Sequence, residues 1–245
     1  MEKLKTVLIT GASKGIGKAC AIEFAKLGYN IVINYNTSEQ PALELKNELE
    51  KKYKIKTLTI QCNVGVEQDV ISMVKQAINT FNSIDILINN AGICYDEPFE
   101  EKTVEHFMNT IQTNLLGTFL VSKYVSKNML NNHFGKIINI SSTSGLSEFS
   151  PFSMDYNASK AGIISLTHDL AIQLQPYINV NAIAPGWIDT EMNKDLSTDF
   201  LNNEKEKTLV KYIAKPEEVA KLAIFLSSDD ARYLNSEVIT LDGGR

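Results

Sequence analysis

Short runs of aliphatic and β-branched residues alternate with longer stretches of helical periodicity along the whole chain. Residues 7–9, 31–33 and 86–88 read VLI, IVI and ILI, so each run is apolar at every position. A strand has this pattern when helices cover both faces of its sheet, because neither row of alternating side chains then meets water. Strands that alternate with crossover helices build parallel sheets. The sequence therefore predicts an α/β fold with a parallel sheet between two layers of helices.

Seven such runs are long enough for strands, at residues 6–10, 31–34, 57–62, 84–89, 136–141, 179–184 and 237–241. Apolar side chains three or four positions apart occupy the intervening stretches, as in Val70, Val74 and Ile78. Linker-like stretches, charge blocks and internal repeats do not divide the chain. We therefore expect one domain over residues 1–245, a three-layer, Rossmann-type, doubly wound sheet of seven parallel strands. Its ligand site should lie at the carboxyl ends of the strands, where the strand order reverses.

Charge, cysteine content and hydropathy narrow the class of protein. Twenty-four Lys and Arg against 29 Asp and Glu give a net charge of -5, without the basic excess that nucleic-acid binding requires. No apolar run approaches the roughly 18 residues of a membrane span, and the first residues do not resemble a signal peptide. Three Cys without a CxxC pair favour a reducing compartment, and three isolated His indicate no metal site. We expect a cytoplasmic protein that binds neither metal, nucleic acid nor membrane.

A glycine-rich turn, TGASKGIG at residues 10–17, follows the first predicted strand and opens a helix. Gly11, Gly15 and Gly17 permit a tight turn and a close approach of the backbone to a pyrophosphate, whose charge the free N–H groups at the helix start favour. The spacing G-x-x-x-G-x-G differs from the dinucleotide fingerprint G-x-G-x-x-G. By itself the turn indicates either a dinucleotide site or a structural βα turn.

The end of the second predicted strand bears on the choice of dinucleotide. An acidic residue there hydrogen-bonds the ribose 2′-hydroxyl of NAD and repels the 2′-phosphate of NADP. The chain reads INYNTS at residues 33–38, and no carboxylate occurs there before Glu39. Lys14 adds a cation and Asn36 adds a hydrogen-bond donor, both of which suit a 2′-phosphate. We predict NADP(H) in preference to NAD(H), although a solvated surface position is the common role of a lysine such as Lys14.

Tyr156 and Lys160 are four residues apart in a predicted helix, so their side chains share one face. A phenol has a pKa of about 10, and a neighbouring ammonium favours the phenolate, which brings proton transfer closer to neutrality. Most such pairs only line a helix surface. Here the preceding strand ends in ISSTSG, whose Ser142 hydroxyl could hydrogen-bond a substrate carbonyl. Ser142 as a covalent nucleophile is disfavoured, because the chain has no G-x-S-x-G elbow and no evident His/Asp partner set.

Taken together, these residues resemble the short-chain dehydrogenase/reductase family from about Thr6 to Gly244. The motifs that carry the resemblance are the glycine turn at residues 10–17, Asn89-Asn90-Ala91-Gly92, Asn114, Ser142, the Tyr156-x-x-x-Lys160 pair, Pro185-Gly186 and Leu241-Asp242-Gly243-Gly244. The resemblance implies hydride transfer, coupled to proton transfer, at a carbonyl or alcohol carbon. Structural roles remain open for Asn89, Asn114 and the Pro185-Gly186 turn.

The resemblance also implies roles for individual residues. Tyr156 would be the general acid in reduction, Lys160 would lower its pKa and hold the nicotinamide ribose, and Ser142 would orient the carbonyl oxygen. Asn114 would support a proton relay through water. The implied cofactor-binding residues are Gly11, Ser13, Lys14, Gly15, Ile16, Gly17, Asn36, Asn63, Val64, Asn90, Gly92, Tyr156, Lys160, Pro185, Gly186, Ile188 and Thr190. Asn63 stands where the family usually carries Asp beside the adenine.

Within the family the chain is most similar to 3-oxoacyl-[acyl-carrier-protein] reductases of fatty-acid biosynthesis. Members that serve the carrier commonly present arginines where this chain has His133 and Tyr177, and an acidic carrier needs basic charge to dock. A 3-oxoacyl group on acyl carrier protein or CoA, and a free small ketone, steroid or sugar, are therefore both open as substrates. A catalytically silent cofactor-binding sensor is disfavoured because all four catalytic residue types are present. The resemblance further implies a homotetramer.

The stretch at about residues 187–214 mixes apolar side chains, including Trp187 and Phe200, with charged ones. We interpret it as an insertion on the substrate side that forms a mobile, partly helical lid. Closure of such a lid would exclude water from the substrate. A pair of solvated helices would have the same residue pattern.

Overall fold

Seven parallel strands form one sheet in the computed structural model of the chain, which describes residues 4–193 and 196–245. The strands are β1 (Thr6–Ile9), β2 (Asn30–Tyr35), β3 (Thr57–Gln61), β4 (Ile86–Asn89), β5 (Gly135–Ile140), β6 (Ile178–Pro185) and β7 (Val238–Leu241). Their order across the sheet is β3-β2-β1-β4-β5-β6-β7. The predicted Rossmann-type, doubly wound parallel sheet is confirmed, and the strand bounds differ from the predicted ones by two residues at most.

Helices cover both faces of this sheet. They are α1 (Gly15–Lys26), α2 (Glu39–Tyr53), α3 (Glu67–Phe81), α4 (Val104–Thr110), α5 (Gly117–Asn131), α6 (Met154–Gln173), α7 (Thr198–Lys207) and α8 (Pro216–Ser227). Val7 and Ile9 of β1 share a core with α1, α2 and α8, whereas Leu8 shares a second core with α3, α5 and α6. Successive residues of one strand thus serve two cores, which explains the continuous apolar runs. Among the described residues, no helix is both long and apolar enough to cross a membrane.

The strand order reverses between β1 and β4. From β1 the chain continues through β2 to β3 on one side, and from β4 it continues to β7 on the other. The connection after β1 leads to a helix on one face of the sheet, and the connection after β4 leads to helices of the opposite face. A crevice is left between these connections at the carboxyl edge of the sheet, which is where ligands bind in folds of this kind.

A π-helical turn at Ile111–Leu116 joins α4 to α5. Asn114 lies inside this wider turn and is fully buried. Gln112, in the same turn, donates a hydrogen bond from Nε2 to the carbonyl oxygen of Gly65 at 3.1 Å. Turns of this type occur frequently at functional sites.

Residues 187–214, the stretch interpreted as a lid, contain a 3₁₀ turn at Glu191–Asn193 followed by α7. The Ser197 side chain caps α7 by accepting a hydrogen bond from the backbone N–H of Phe200 at 3.2 Å. Trp187 packs edge to face against Phe200, with ring centroids 5.2 Å apart. The stretch is partly helical, as predicted; its mobility stays a prediction.

Candidate active site

The turn after β1 has the backbone that its glycines predict. Gly11 and Gly15 have φ angles of +62° and +55°, a region that residues with a side chain rarely adopt. A Cβ on Gly17 would collide with the carbonyl oxygen of Gly11, so glycine is required for α1 to start this close to the turn. Gly15 and Ile16, the first residues of α1, line the crevice. Free N–H groups at this helix start favour an anion.

Two asparagines hold this turn against the neighbouring strands. Asn34, in β2, accepts a hydrogen bond from the N–H of Gly11 at 3.2 Å and donates one to the carbonyl oxygen of Cys62 at 3.0 Å. Asn90, after β4, donates from Nδ2 to the carbonyl oxygen of Thr10 at 2.9 Å. Sequence reasoning identified Asn90 and missed Asn34. The available signal was a polar residue near the end of an otherwise apolar strand.

A cleft of about 520 Å³ runs along the carboxyl edge of the sheet. Its volume is typical of small-molecule and cofactor sites. The predicted residues that line it are Gly11, Ser13, Lys14, Gly15, Ile16, Asn36, Asn63, Val64, Asn90, Gly92, Ser142, Tyr156, Lys160, Pro185, Gly186, Ile188 and Thr190. Gly17 and Asn114 are not among the lining residues; both are buried in the protein beside the cleft. The structure thus brings the glycine turn and the Tyr156 region together in one cleft.

One end of the cleft is lined by Lys14, Asn36, Thr37 and Ser38. The Lys14 side chain is exposed, and the backbone carbonyl of Asn36 accepts a hydrogen bond from Gln61. Glu39, the first carboxylate after β2, accepts a hydrogen bond from the hydroxyl of Tyr35 at 3.4 Å and does not line the cleft. The wall here therefore presents a cation and neutral hydrogen-bonding groups.

These features fit a nicotinamide dinucleotide. The glycine turn leaves open a cradle that side chains would fill, and the start of α1 supplies N–H groups for a pyrophosphate. The glycine turn, which includes Lys14, lines the same cleft as Asn36 and Tyr156. The same wall can therefore hold the adenosine phosphates at one end and a nicotinamide ring beside the phenol at the other.

Tyr156 and Lys160 lie on the first turns of α6. The Nζ atom of Lys160 lies 5.3 Å from the centroid of the Tyr156 ring. It donates a hydrogen bond to the carbonyl oxygen of Ile140, the last residue of β5, at 2.8 Å. Lys160 is only 3% exposed. The spacing in the sequence puts the pair on one helix face, and the contact with β5 fixes the ammonium at the sheet edge.

Burial shifts the pKa values of both groups. Burial lowers the pKa of Lys160 to about 8. Burial also raises the pKa of Tyr156 above its ordinary value, and a hydrogen bond with Ser142 opposes this effect. The effect of Lys160 on the acidity of the phenol stays a prediction, which concerns the cleft with its cofactor bound. The phenol is held protonated, which is the form that a general acid needs.

The two serines after β5 have different partners. Ser141 donates a hydrogen bond from Oγ to the carbonyl oxygen of Lys160 at 2.8 Å, which ties the end of β5 to α6. Ser142 accepts a hydrogen bond from the N–H of Ser144 at 3.1 Å, and its hydroxyl also contacts the phenol of Tyr156. Ser142 rather than Ser141 is therefore the hydroxyl next to the phenol.

The Asn114 side chain is fully engaged by the protein. Its Oδ1 accepts a hydrogen bond from the N–H of Ile93 at 2.9 Å, and its Nδ2 donates to the carbonyl oxygen of Ile93 and to Oγ of Ser159, both at 3.0 Å. A Cβ on Gly92 would lie 3.4 Å from this Oδ1 and 3.7 Å from Nζ of Lys160. Asn114 therefore holds the segment after β4 against α6, while its part in a proton relay stays a prediction.

Sequence reasoning missed several residues of the cleft, namely Asn34, Tyr35, Tyr95, Thr113, Glu191 and Asn193. Among these residues, Tyr95 is the aromatic side chain that follows β4. Its ring stacks on the imidazole of His106, with centroids 4.3 Å apart and planes within 7°. No periodicity marks this stretch of the sequence, so only the folded chain reveals that Tyr95 faces the cleft.

His133 and Tyr177 are the positions at which the family resemblance led us to expect arginine. Their rings pack edge to face with centroids 4.3 Å apart. His133 precedes β5 and Tyr177 precedes β6, so both lie at the amino edge of the sheet. Ser142 and Tyr156 lie beyond the carboxyl end of β5. Within one chain, this aromatic pair and the cleft occupy opposite edges of the sheet.

Comparison with known proteins agrees with this architecture. A family model described as enoyl-(acyl carrier protein) reductase matches residues 11–245. A crystal structure from Burkholderia xenovorans, provisionally assigned as a short-chain dehydrogenase/reductase, superposes with a TM-score of 0.90. It is 28% identical in sequence, and the match covers 100% of this chain and 98% of that one. The chain belongs to the short-chain dehydrogenase/reductase family, and it is an oxidoreductase by that membership.

Two further proteins are similar to this chain over nearly its whole length. The 3-oxoacyl-[acyl-carrier-protein] reductase of Staphylococcus epidermidis is 36% identical over 241 residues, which are 98% of each protein. A crystal structure from Agrobacterium tumefaciens with the provisional name gluconate dehydrogenase has a TM-score of 0.92 and 31% identity. That match covers 98% of this chain and 94% of the other.

Proposed function

We propose that this protein reduces the ketone of a 3-oxoacyl thioester to a secondary alcohol, with NADP(H) as the preferred nicotinamide cofactor. The observation that carries the proposal is the single cleft that joins the glycine turn to the side chains of Ser142, Tyr156 and Lys160. Full-length similarity to a 3-oxoacyl-[acyl-carrier-protein] reductase supports the thioester as the substrate class and fatty-acid biosynthesis as the setting.

The residues of the cleft account for the proton that the reduction consumes. The bound dinucleotide would supply a hydride to the carbonyl carbon. Tyr156, kept protonated by burial, donates its phenolic proton to the carbonyl oxygen, so that C=O becomes CH–OH. The hydroxyl of Ser142 donates a hydrogen bond to the same oxygen and stabilises the negative charge that develops there. Lys160, held by the carbonyl of Ile140, is the nearby cation that stabilises the phenolate left behind.

A free ketone or a sugar derivative is the second candidate substrate. His133 and Tyr177 supply no guanidinium for an acidic carrier, and they lie on the edge of the sheet opposite the cleft. A protein with the provisional name gluconate dehydrogenase has the same fold at 31% identity. A 3-oxoacyl-CoA lies between a carrier-bound substrate and a free ketone, because it has the same thioester group but no carrier protein.

A substrate panel followed by the loss of NADPH absorbance tests the proposal. It contains acetoacetyl-CoA, acetoacetyl-[acyl-carrier-protein], small ketones, steroids, 5-ketogluconate and the enoyl thioester crotonyl-CoA. We expect turnover of acetoacetyl thioesters with NADPH, and much less with NADH. Turnover of a free ketone alone would overturn the substrate class and retain the chemistry, whereas reduction of crotonyl-CoA alone would overturn ketone reduction.

The rate of ketone reduction should fall as the pH rises through about 8. Lys160 is protonated below its lowered pKa of about 8 and neutral above it, so the cation beside Tyr156 is lost on the alkaline side. The pKa of Tyr156 is raised, which keeps the phenol itself protonated over this range. A pH profile of kcat/KM for reduction measures the effect. A profile that stays flat to pH 10 would contradict the role of Lys160.

Lys14→Ala should weaken the binding of NADPH about 10-fold more than that of NADH, since a hydrogen bond between charged groups is lost only with the 2′-phosphate. Fluorescence titration of both dinucleotides gives the two dissociation constants. Lys18→Ala is the matched control, because Lys18 is also exposed on α1 but does not line the cleft. Equal losses of affinity for the two dinucleotides in Lys14→Ala would remove the basis for an NADP(H) preference.

We also propose that the protein is a cytoplasmic homotetramer, as the family resemblance implies. Support comes from apolar side chains that are exposed along α4, the π-helical turn and α5, among them Val104, Met108, Leu116 and Phe119. Exposed apolar patches of this kind commonly mark contacts between proteins. Light scattering after gel filtration should give four times the mass of one chain, and a monomer mass would contradict the assembly.

A further inference from the structure

A partly buried cluster of titratable side chains lies beside the cleft, at the point where the loop after β4 meets the start of α6. Its members are Glu97, Lys102, His106 and Asp155. The side chain of Asp155 is fully buried, and that of Lys102 is only 4% exposed. Ionised groups are rarely buried so completely unless they are paired. The proposed reaction uses none of these four side chains, so the burial of Lys102 and Asp155 calls for another explanation.

Lys102 is the centre of the cluster. Its Nζ lies 3.1 Å from Oδ1 of Asp155 and 3.4 Å from Oε2 of Glu97. Both of these carboxylate oxygens are buried and have no other hydrogen-bond partner. The second oxygen of Asp155 accepts a hydrogen bond from the hydroxyl of Thr110 at 2.7 Å. Burial lowers the pKa of Lys102, but its bonds to the two carboxylates outweigh this effect and raise the pKa overall, so the side chain stays charged.

The same lysine holds the wall of the cleft. Its Nζ also donates a hydrogen bond to the backbone carbonyl of Tyr95 at 2.5 Å. The Tyr95 ring, which lines the cleft, stacks on His106, and Nδ1 of His106 lies 2.6 Å from Oε1 of Glu97. Both the backbone and the ring of Tyr95 are therefore fixed by one cluster, and that cluster is anchored to the residue that precedes Tyr156.

A second set of contacts joins the same two segments. The N–H of Glu97 donates a hydrogen bond to the carbonyl oxygen of Phe152 at 2.9 Å, and the hydroxyl of Ser153 donates to the carboxylate of Asp96. These contacts hold the two stretches together but do not reach the Tyr95 carbonyl. Lys102 alone among the charged groups of the cluster bonds both to the wall of the cleft and to α6.

We propose that Lys102 is a positioning residue for the substrate. Through its ion pair with Asp155 and its bond to the Tyr95 carbonyl, it sets the distance between the Tyr95 wall and the phenol of Tyr156. The inference rests on the proposed function, because Tyr95 and Tyr156 line the cleft in which the substrate carbonyl would meet the phenol. A sub-ångström error in such a distance changes substrate binding and orientation strongly.

A double-mutant cycle tests the proposal with three variants: Lys102→Met, Asp155→Asn and the double variant. Lys102→Met removes both the ion pair and the bond to the Tyr95 carbonyl, whereas Asp155→Asn removes the ion pair and leaves Lys102 beside Glu97. The double change removes both charges of the pair, and Glu97 keeps its contact with His106. We expect each single variant to raise KM for the ketone about 10-fold, with kcat and the NADPH dissociation constant changed less than about threefold. The double variant should keep a KM about 10-fold above the native value, because the bond to the Tyr95 carbonyl and the ion pair are both absent from it.

Lys123→Met is the matched control, because Lys123 pairs with Glu67 at 2.9 Å on the surface and should leave all constants unchanged. Hydrogen exchange of the peptide that covers residues 93–103 provides a readout that needs no turnover. We expect faster exchange in Asp155→Asn, which keeps the contact between Lys102 and Glu97 and so should fold even if Lys102→Met does not. Native exchange in that variant, or a native KM in the double variant, would overturn the proposal, because the second result would assign the effects of the single changes to an unpaired buried charge. A native enzyme without ketone reductase activity would instead overturn the proposed function.

Discussion

Tyr156→Phe should lower kcat for ketone reduction by about 10²- to 10⁴-fold, the usual contribution of a general acid. The change removes one oxygen atom and leaves the ring, so the packing of α6 is retained. Lys160 keeps its bond to the carbonyl of Ile140, and the cleft keeps its glycine turn. The alkoxide formed by hydride transfer then has lost the phenol, and the aliphatic hydroxyl of Ser142 beside it is a much weaker acid.

Steady-state kinetics and NADPH titration together separate this effect from damage to the fold. The dissociation constant of NADPH should stay within about twofold of the native value, because the cofactor contacts of the glycine turn are untouched. Tyr124→Phe is a suitable control, since its hydroxyl bonds Glu67 at 2.7 Å on the exposed side of α5. If Tyr156→Phe kept a tenth or more of the native rate, another group would have to supply the proton.

The layered fold was predictable because its signal is local. Residues 7–9 are buried on both faces of the sheet, and their uninterrupted apolar run predicts this burial from the sequence. Tyr156 and Lys160 were predictable for the same reason, since a separation of four residues puts two side chains on one helix face. The glycine turn was recognisable from its spacing together with the family resemblance. Each of these features depends on neighbours within one or two turns of the chain.

Contacts between distant segments were not predictable from the sequence. Asn34 supports the glycine turn, and Lys102 pairs with Asp155, but each partner lies on a different element. The π-helical turn at Asn114 belongs to the same class, because its width follows from packing against the segment after β4. A single sequence gives the order of the side chains, but it does not show which distant side chains come into contact in the fold.

The pKa values in the site also depend partly on local sequence spacing and partly on contacts between distant segments. The sequence places an ammonium four residues from a phenol, which by itself favours an acidic phenol. The fold buries both groups, and burial acts against either charge, so the pKa of Lys160 falls to about 8 and that of Tyr156 rises. Spacing identified the two residues correctly. The depth of burial, which determines the direction of the pKa shifts, depends on β5 and on the loops around the cleft.

Gly145 is the residue whose substitution should do most damage without touching a reacting atom. It ends the 3₁₀ turn that carries the chain from Ser142 back to α6. A Cβ there would lie 2.6 Å from the carbonyl carbon of Lys160 and 2.7 Å from the backbone nitrogen of Ala161. These neighbours are backbone atoms of a helix and cannot rotate away. The turn must therefore shift outward, and it would take the Ser142 hydroxyl away from the phenol.

Gly145→Ala should accordingly lower kcat/KM for the ketone by about 10²-fold, the effect of displacing a catalytic group by about 1 Å. Overpacking should cost about 1–3 kcal/mol of unfolding free energy, while NADPH affinity stays native because Gly145 does not line the cleft. Gly28→Ala is the control: nothing lies within 4 Å of its Cβ, and its φ of +82° costs about 1 kcal/mol in strain far from the cleft. Comparable stability loss with native activity in Gly28→Ala would assign the Gly145 effect to the position of Ser142. Native kcat/KM in Gly145→Ala would contradict the expectation that this turn sets the position of the Ser142 hydroxyl.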